Sequence, residues 1–447
     1  MEQFLWSIGA FIVALGLVVT FHEFGHFWVA RRCGVKVVTF SIGFGKPLFK
    51  WHGKDGTQYQ VAAIPLGGYV RMLDHEVDPV TEQEMAGSFR AKPVKQRFAI
   101  VLAGPVANFI FAIAALWLML MIGMPAVKPI IGAVAPESIA AQAGIQPGSE
   151  IVAIDQRRVQ DWQDVNLALV RRMGSEATVF TVMEPSGVRR DVPVSLQDWQ
   201  FDPDRESTIG SLGLDVYRPQ IRSTIAQIDP DSPAGRSDLR VGDKIIGFDG
   251  TQSANWEQIR SFIADHAGER VTFQVERNGN VRTLDVLVGE IDGRGYLGIV
   301  PEVEAYPEEY RFTLQYGPIE ALQGGVARTW NLMGLTVNMV GKLVTGNVSV
   351  KNLSGPVGIA QGAGAHASYG LVYFLSFLAL ISVSLGILNL LPIPMLDGGH
   401  LVFYVIEWIR GKPVSERVQE VSFRAGLLLL MVLLSVTLFN DLGRLFS

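Results

Sequence analysis

The sequence predicts an α-helical polytopic membrane protein: four transmembrane helices, a membrane-associated β-hairpin in the loop after the first, and two tandem external α+β domains between the second and third. Three observations carry this. Charged residues make up only 18% of the 447 and apolar residues 49%, where an ordinary soluble domain is roughly 25% charged. The deficit is concentrated in four charge-free runs, 4–21, 98–127, 371–396 and 425–440, and about 20 apolar residues match the hydrocarbon thickness of a bilayer. The long segment between the second and third runs also repeats itself. A purely soluble protein is excluded. So is a disulfide framework, because Cys33 is the only cysteine. A net charge of −5, with no Lys/Arg cluster longer than a pair, argues against nucleic acid as a partner.

Residues 1–30 hold the first span. Only Glu2 precedes the apolar run and no small-x-small cleavage site follows it, so it reads as a retained helix rather than a signal peptide. The loop 31–97 carries 11 Lys/Arg against 6 Asp/Glu, a net of +5, which the positive-inside rule places in the cytoplasm. Within it, "VVTFSIGFG" and "TQYQVAAIPLGGYVRM" are rich in β-branched and aromatic residues and punctuated by glycine. They read as strands dipping toward the membrane, with backbone that must be buried in protein or line a cavity.

The second span is 98–126. The segment 128–312 then carries 19 Lys/Arg against 29 Asp/Glu, a net of −10. A long segment crosses regardless of its charge, so both termini and this region fall outside. Aligning 131–155 with 225–249 matches seven positions without gaps, among them Pro136 with Pro230, Ser138 with Ser232, Gly148 with Gly242 and Asp155 with Asp249; Trp162 and Trp256 continue the register. An offset of 94 suits two copies of a small domain, 127–220 and 221–308, rather than a solenoid. In the external linker 309–370, Trp330, Met333, Val337, Val340 and Val344 recur at helical spacing, as in a helix lying on the outer membrane surface or an ordinary soluble one. The third span is 371–396, the loop 397–424 returns to the cytoplasm with Arg410, Lys412, Arg417 and Arg424, and a short fourth span occupies 425–441.

The chemistry begins at His22-Glu23-Phe24-Gly25-His26. On a helix, positions i and i+4 share a face, so both imidazoles can hold one Zn²⁺, with Glu23 beside them to take a proton from a metal-bound water. Ionisable groups inside a membrane are expensive, and three arriving together at the end of an otherwise uncharged span read as a functional site. The bland alternative is a polar cluster at the lipid headgroups. A catalytic zinc needs a third protein ligand. His52, His75, His266 and His366 lie in expected loops or in the external region. Asp397, after the Pro392 and Pro394 that break the third span, sits at the depth of His22 and His26, with His400 as its rival. Read alone, Asp-Gly-Gly is a turn or a helix cap.

These residues carry a resemblance. His22–His26 in the first span and Asn389…Pro392…Pro394…Leu396-Asp397-Gly398 in the third resemble the site-2 family of intramembrane zinc metalloproteases. The basic loop, Gly104-Pro105-x-x-Asn108 in the second span and the repeat, which is similar to tandem bacterial PDZ domains, extend the likeness along the chain. The resemblance implies a zinc endopeptidase of the Gram-negative inner membrane with ligands His22, His26 and Asp397, and Glu23 as base. Asn389 is then the substrate-backbone residue, and Gly67 and Gly68 are either a substrate contact or simply a turn. It implies substrates that are single-span membrane proteins: an anti-sigma factor in envelope stress signalling, already shortened outside, and remnant signal peptides. Two other classes compete. A non-catalytic membrane-tethered PDZ scaffold with a structural or vestigial zinc site would have no need of Glu23. A metal transporter would need metal ligands on spans other than the first and third.

Overall fold

In the computed structural model each charge-free run lies wholly or mostly in a long helix, and the structure describes residues 2–197, 199, 207–252, 255–291, 293–346 and 354–446. The helices in chain order are α1 (Glu2–Arg32), α2 (Glu82–Met85), α3 (Val94–Ile122), α4 (Ile139–Gln142), α5 (Trp162–Val170), α6 (Trp256–Asp265), α7 (Pro318–Val344), α8 (Pro356–Ser368), α9 (Leu371–Leu390), α10 (Asp397–Arg410) and α11 (Glu416–Phe446). Among the described residues, four of them, α1, α3, α9 and α11, are long and apolar enough to cross a membrane. The chain divides into two units, Met1–Met124 with Leu314–Ser447, and Pro125–Thr313.

In the first unit, α1, α3 and α9 bury small and branched residues against one another: Ala14 and Val18, Ala112, Ala115 and Leu116, Leu378, Ala379 and Val383. Small residues let apolar helices approach closely where lipid offers no hydrophobic drive to associate. A Cβ on Gly25 would lie 2.7 Å from Ala107 Cβ, and one on Gly386 would lie 2.8 Å from the Phe109 ring. α7 packs its buried Ala321 and Thr329 inward, and Trp117 Nε1 donates to the Pro318 carbonyl at 2.9 Å. Its Trp330 and Val337 stay exposed.

The helix limits differ from those read in the sequence. α3 starts four residues before the charge-free run and stops at Gly123, whose φ of 96° ends it. α9 stops at Leu390, because Pro392 and Pro394 cannot donate to a continuing helix. The segment 397–424 after it is half α10, and α11 begins at Glu416, so the fourth helix is a 31-residue element rather than a short one. Its charged first turns are helical too, because Lys, Arg and Glu are good helix formers. A second helix, α8, precedes α9; its N-terminus is capped by Asp441 of α11, which accepts from the Gly355, Val357 and Gly358 amides at 2.9–3.1 Å.

Strands β1 (Val37–His52) and β2 (Gln58–Met72) form an antiparallel sheet with a doubled register: Phe40 faces both Val70 and Tyr59, and Trp51 also faces Tyr59. Each long strand therefore bends into two halves. The 68–72 half of β2 pairs with the first half of β1.

In the second unit the residues matched by the repeat do the same local jobs twice. Asp155 and Asp249, both at positive φ, accept from the Val179 and Thr272 amides at 2.9 and 2.8 Å. Asp161 and Asn255 cap the helices that open with Trp162 and Trp256. Ser138 and Ser232 accept from the amides three residues on, and Gly213 and Gly298 leave the space that those two serines occupy. Each copy has its own core, around Phe180, Ile151 and Leu169 in one and Phe273, Ile245 and Ile259 in the other. In the second copy Asp243, 1% exposed, pairs with Arg277 at 2.6 Å. Burial pushes its carboxyl up, but hydrogen bonds from Arg277 and from the Arg240 amide outweigh that and hold it below the usual carboxylate range.

Candidate metal centre

The helical geometry of α1 puts His22 and His26 on one face, both buried. α3 runs beside that face and serves each imidazole from the back. The Ile100 carbonyl lies 2.9 Å from His26 Nδ1, and the Asn108 amide lies 3.1 Å from His22 Nδ1. A carbonyl accepts and cannot donate, so His26 carries its proton on Nδ1 and turns the Nε2 lone pair inward. Between Ile100 and Asn108 stands Gly104. A Cβ there would collide with His26 Nε2 and lie 2.8 Å from His22 Cε1, so glycine is what leaves room for two rings side by side.

The third group comes from α10. The turn 391–396 is held tight: a Cβ on Gly399 would lie 2.6 Å from the Ile393 carbonyl, and Met395 adopts a φ of 92°, a left-handed conformation costly for any residue but glycine. The turn delivers Asp397 in the first turn of α10, with Oδ2 at 3.2 Å from His22 Nε2 and 3.4 Å from His26 Nε2. Ligand atoms of all three residues lie within 4.8 Å of one another, the one such His/Cys/Asp/Glu group among the described residues. Asp397 Oδ2 is buried without a hydrogen bond. Two imidazole nitrogens and one orphaned carboxylate oxygen on a common centre are a donor set that fits zinc.

α10 is itself anchored to the start of α3. Arg97 Nη2 donates to Glu407 Oε1 at 2.5 Å, its guanidinium lies 5.1 Å from the Tyr404 ring centre, and Lys95 lies 5.3 Å from that of Trp408. Burial, partly opposed by Arg97, pushes the Tyr404 hydroxyl up to about 12, so it stays protonated.

A cavity of about 350 Å³ opens onto the cluster, lined by Glu23, Gly68, Tyr69, Val70, His400 and Tyr404 as well as the three converging groups. The Val70 amide faces the Glu23 carboxylate. Of the residues singled out in the sequence, His22, Glu23, His26, Asp397 and Gly68 thus meet at one place. His400 lines the cavity but stands against Phe423, ring centres 5.2 Å apart, and is not part of the three-residue group. Gly67, at a φ of 153°, leaves room for the Phe44 ring. Asn389 is half-buried in the last turn of α9 and is not among the cavity's lining residues. Sequence reasoning gave Gly104 and Asn108 only as part of a motif of the second span, assigned them no role, and did not single out Ile100; the structure puts all three at the back of the site. A signal existed for two of them, because Gly104 and Asn108 lie four apart on the second span, where a polar Asn in an apolar helix invites the question of its partner.

A profile of peptidase family M50 matches residues 10–433. The chain is 49% identical to the regulator of sigma-E protease RseP of Escherichia coli over 450 residues, covering all of both chains. It is 48% identical to the protein of that name from Salmonella typhimurium, again over the whole of both. A Vibrio cholerae relative, 46% identical at full coverage, has the words zinc metalloprotease in its name. Among solved structures, a PDZ domain of an SdrC-like protein from Listeria monocytogenes covers 20% of this chain at 21% identity and a TM-score of 0.16, too slight a likeness for structural argument.

Proposed function

The chain belongs to peptidase family M50 and is a site-2 type intramembrane metalloprotease; from that premise we propose that it cuts the transmembrane segment of single-span membrane proteins at a zinc held by His22, His26 and Asp397, with Glu23 as base. The observation that carries the reading is the orphaned Asp397 Oδ2 facing two imidazole nitrogens, one of whose rings is fixed in the ligand tautomer by Ile100. Bound there, zinc supplies a water with its pKa lowered toward about 7 and polarises the scissile carbonyl.

The protein's own groups do the rest. Glu23, on the cavity wall, accepts the proton of the attacking water and passes it to the leaving amide nitrogen. A substrate helix hides its amides in its own hydrogen bonds and must unwind first. The 68–72 half of β2, with Gly68, Tyr69 and Val70 on the cavity wall, offers a strand on which the unwound segment pairs and recovers those bonds. Gly68 keeps that strand close to the base, since a Cβ there would lie 2.9 Å from Glu23 Cγ. For Asn389, in the last turn of α9 and outside the cavity lining, a hold on substrate backbone is supported by the family resemblance alone, and Gly67 shapes the strand through Phe44.

Charge supports an inner-membrane protein with both termini and 128–312 outside, 31–97 inside and the zinc toward the cytoplasmic half. The substrate we infer is a membrane-bound anti-sigma factor already shortened outside, with remnant signal peptides a further class. The two copies in Pro125–Thr313, read as PDZ-like, filter substrates by size; their net charge of −10 disfavours a general receptor for peptide carboxylates. Glu23→Gln tests the reading: it retains zinc but loses cleavage of a single-span substrate by about 10²–10⁴-fold. Cleavage at the wild-type rate by this variant would remove the assignment and favour the scaffold.

A further inference from the structure

His26 has a carbonyl behind it and needs nothing more to aim its Nε2. His22 has an amide, and an amide presents either an oxygen or a nitrogen. The side chain of Asn108 is fully buried, with Nδ2 placed 3.1 Å from His22 Nδ1 and Oδ1 left without a partner. In that orientation Nδ2 donates to Nδ1, which leaves the proton of a neutral His22 on Nε2, pointed at Asp397 Oδ2 3.2 Å away. Such a ring cannot be a ligand through Nε2. The two ends of an amide are nearly identical in shape, and which is oxygen is settled by the hydrogen bonds they make. Turned by 180°, Oδ1 takes the place beside His22 and Nδ2 the place without a partner, so the count of hydrogen bonds is unchanged, but Nδ1 now carries the proton and the Nε2 lone pair faces the cluster.

We propose that Asn108 is a positioning residue that accepts the Nδ1 proton of His22 through Oδ1 and thereby fixes that imidazole as a metal ligand. The inference rests on the zinc reading above. Asn108 does for His22 what the Ile100 carbonyl does for His26, and both come from α3, two turns apart on one face. The backbone at Asn108 is held in turn from α9, where the fully buried Ser382 donates Oγ–H to the Asn108 carbonyl at 2.8 Å. Three helices are thus linked behind one ligand. Groups behind metal ligands are worth about 10–100-fold in metal affinity.

The test is zinc affinity of the full-length protein in detergent, measured by competition with a chelator, for Asn108→Leu and Asn108→Asp. Leu keeps the branched shape with bulkier methyl groups and removes the acceptor; Asp keeps an oxygen acceptor and has no amide to donate. The expected result is a loss of about 10–100-fold for Asn108→Leu, with Asn108→Asp near or above wild type. Wild-type affinity in Asn108→Leu overturns the proposal, as does equal loss in both variants, which is the mark of a packing role. If Asn108→Leu does not fold, Asn108→Asp decides: retention supports the proposal, and a loss of about tenfold or more in folded protein overturns it. His22→Ala is the separate control. Wild-type zinc affinity in that variant would overturn the ligand assignment itself, whatever Asn108 does.

Discussion

Replacing Gly104 by Ala adds a single methyl group to α3, a change that costs an ordinary apolar helix nothing in propensity. Here the new Cβ would sit 2.5 Å from His26 Cε1 and 2.8 Å from His22 Cε1, against a comfortable carbon–carbon separation of about 3.5–4.0 Å. One partner must yield by roughly 1 Å. His26 cannot do so freely, because its Nδ1 is bonded to Ile100 one turn away on the same helix that carries the methyl. α1 and α3 cannot separate to make room without giving up the contact at Gly25. Overpacking of this kind costs about 1–3 kcal/mol. If it falls on the metal-bound arrangement, where the rings must point at one centre, zinc affinity drops about 5- to 150-fold at 1.4 kcal/mol per tenfold. The metal-free protein loses less, since no ion then holds the two Nε2 atoms to one centre. Chelator competition on the purified protein, alongside thermal unfolding after the metal is stripped, reads both. Wild-type zinc affinity in Gly104→Ala would refute the reasoning, and an equal loss of stability with and without metal would show that the methyl disturbs helix packing rather than the ligands.

Other expectations follow from the same geometry. Asp397→Ala loses zinc while His400→Ala keeps it, and metal analysis showing the reverse would move the third ligand to His400. On a Cys33→Ser background, a cysteine at His52 escapes an impermeant thiol reagent in intact cells while one at Asp265 reacts; the opposite pattern would invert the proposed orientation. Deleting roughly 134–301 lets the enzyme cut a full-length substrate that it otherwise ignores and leaves cutting of a pre-shortened one unchanged. Loss of that second activity, with zinc and membrane insertion intact, would favour a carboxyl-terminus receptor over a size filter. Asp243→Asn removes the negative charge facing Arg277 while keeping one acceptor oxygen, and destabilises its copy, read as lower hydrogen-exchange protection across Ile221–Ile228 and Lys244–Phe248. Because the folded carboxyl lies below its ordinary value, this contribution is present above about pH 4 and fades as pH falls through the folded value. Exchange that is indifferent to acid in the wild type would contradict it.

Local pattern was enough for what depends on neighbours along the chain. The charge-free runs name the apolar helices, because a bilayer leaves the backbone no alternative to helix over such lengths. His22 and His26 are readable as a pair because a four-residue spacing on a helix is a fixed distance in space. The repeat is readable because Ser138, Asp155 and Asp161 cap and turn the chain through hydrogen bonds a few residues away or across one sheet, and their counterparts do the same. Helix ends were less legible: the apolar run marks the lipid-facing length, whereas α3 and α11 continue through charged turns that cost a helix little. What the chain alone left open was every choice that turns on the rotation and depth of one helix against another. Asp397 and His400 are three residues apart and both plausible on paper; only the tight turn at 391–396 and the Arg97–Glu407 anchor send one to the histidines and leave the other against Phe423. Ile100 looks like an ordinary residue of an apolar span, and Gly104 and Asn108 are no more than a motif on it, until α3 is laid beside α1, for a carbonyl, a missing methyl and an amide acquire their roles only from the imidazoles that stand against them.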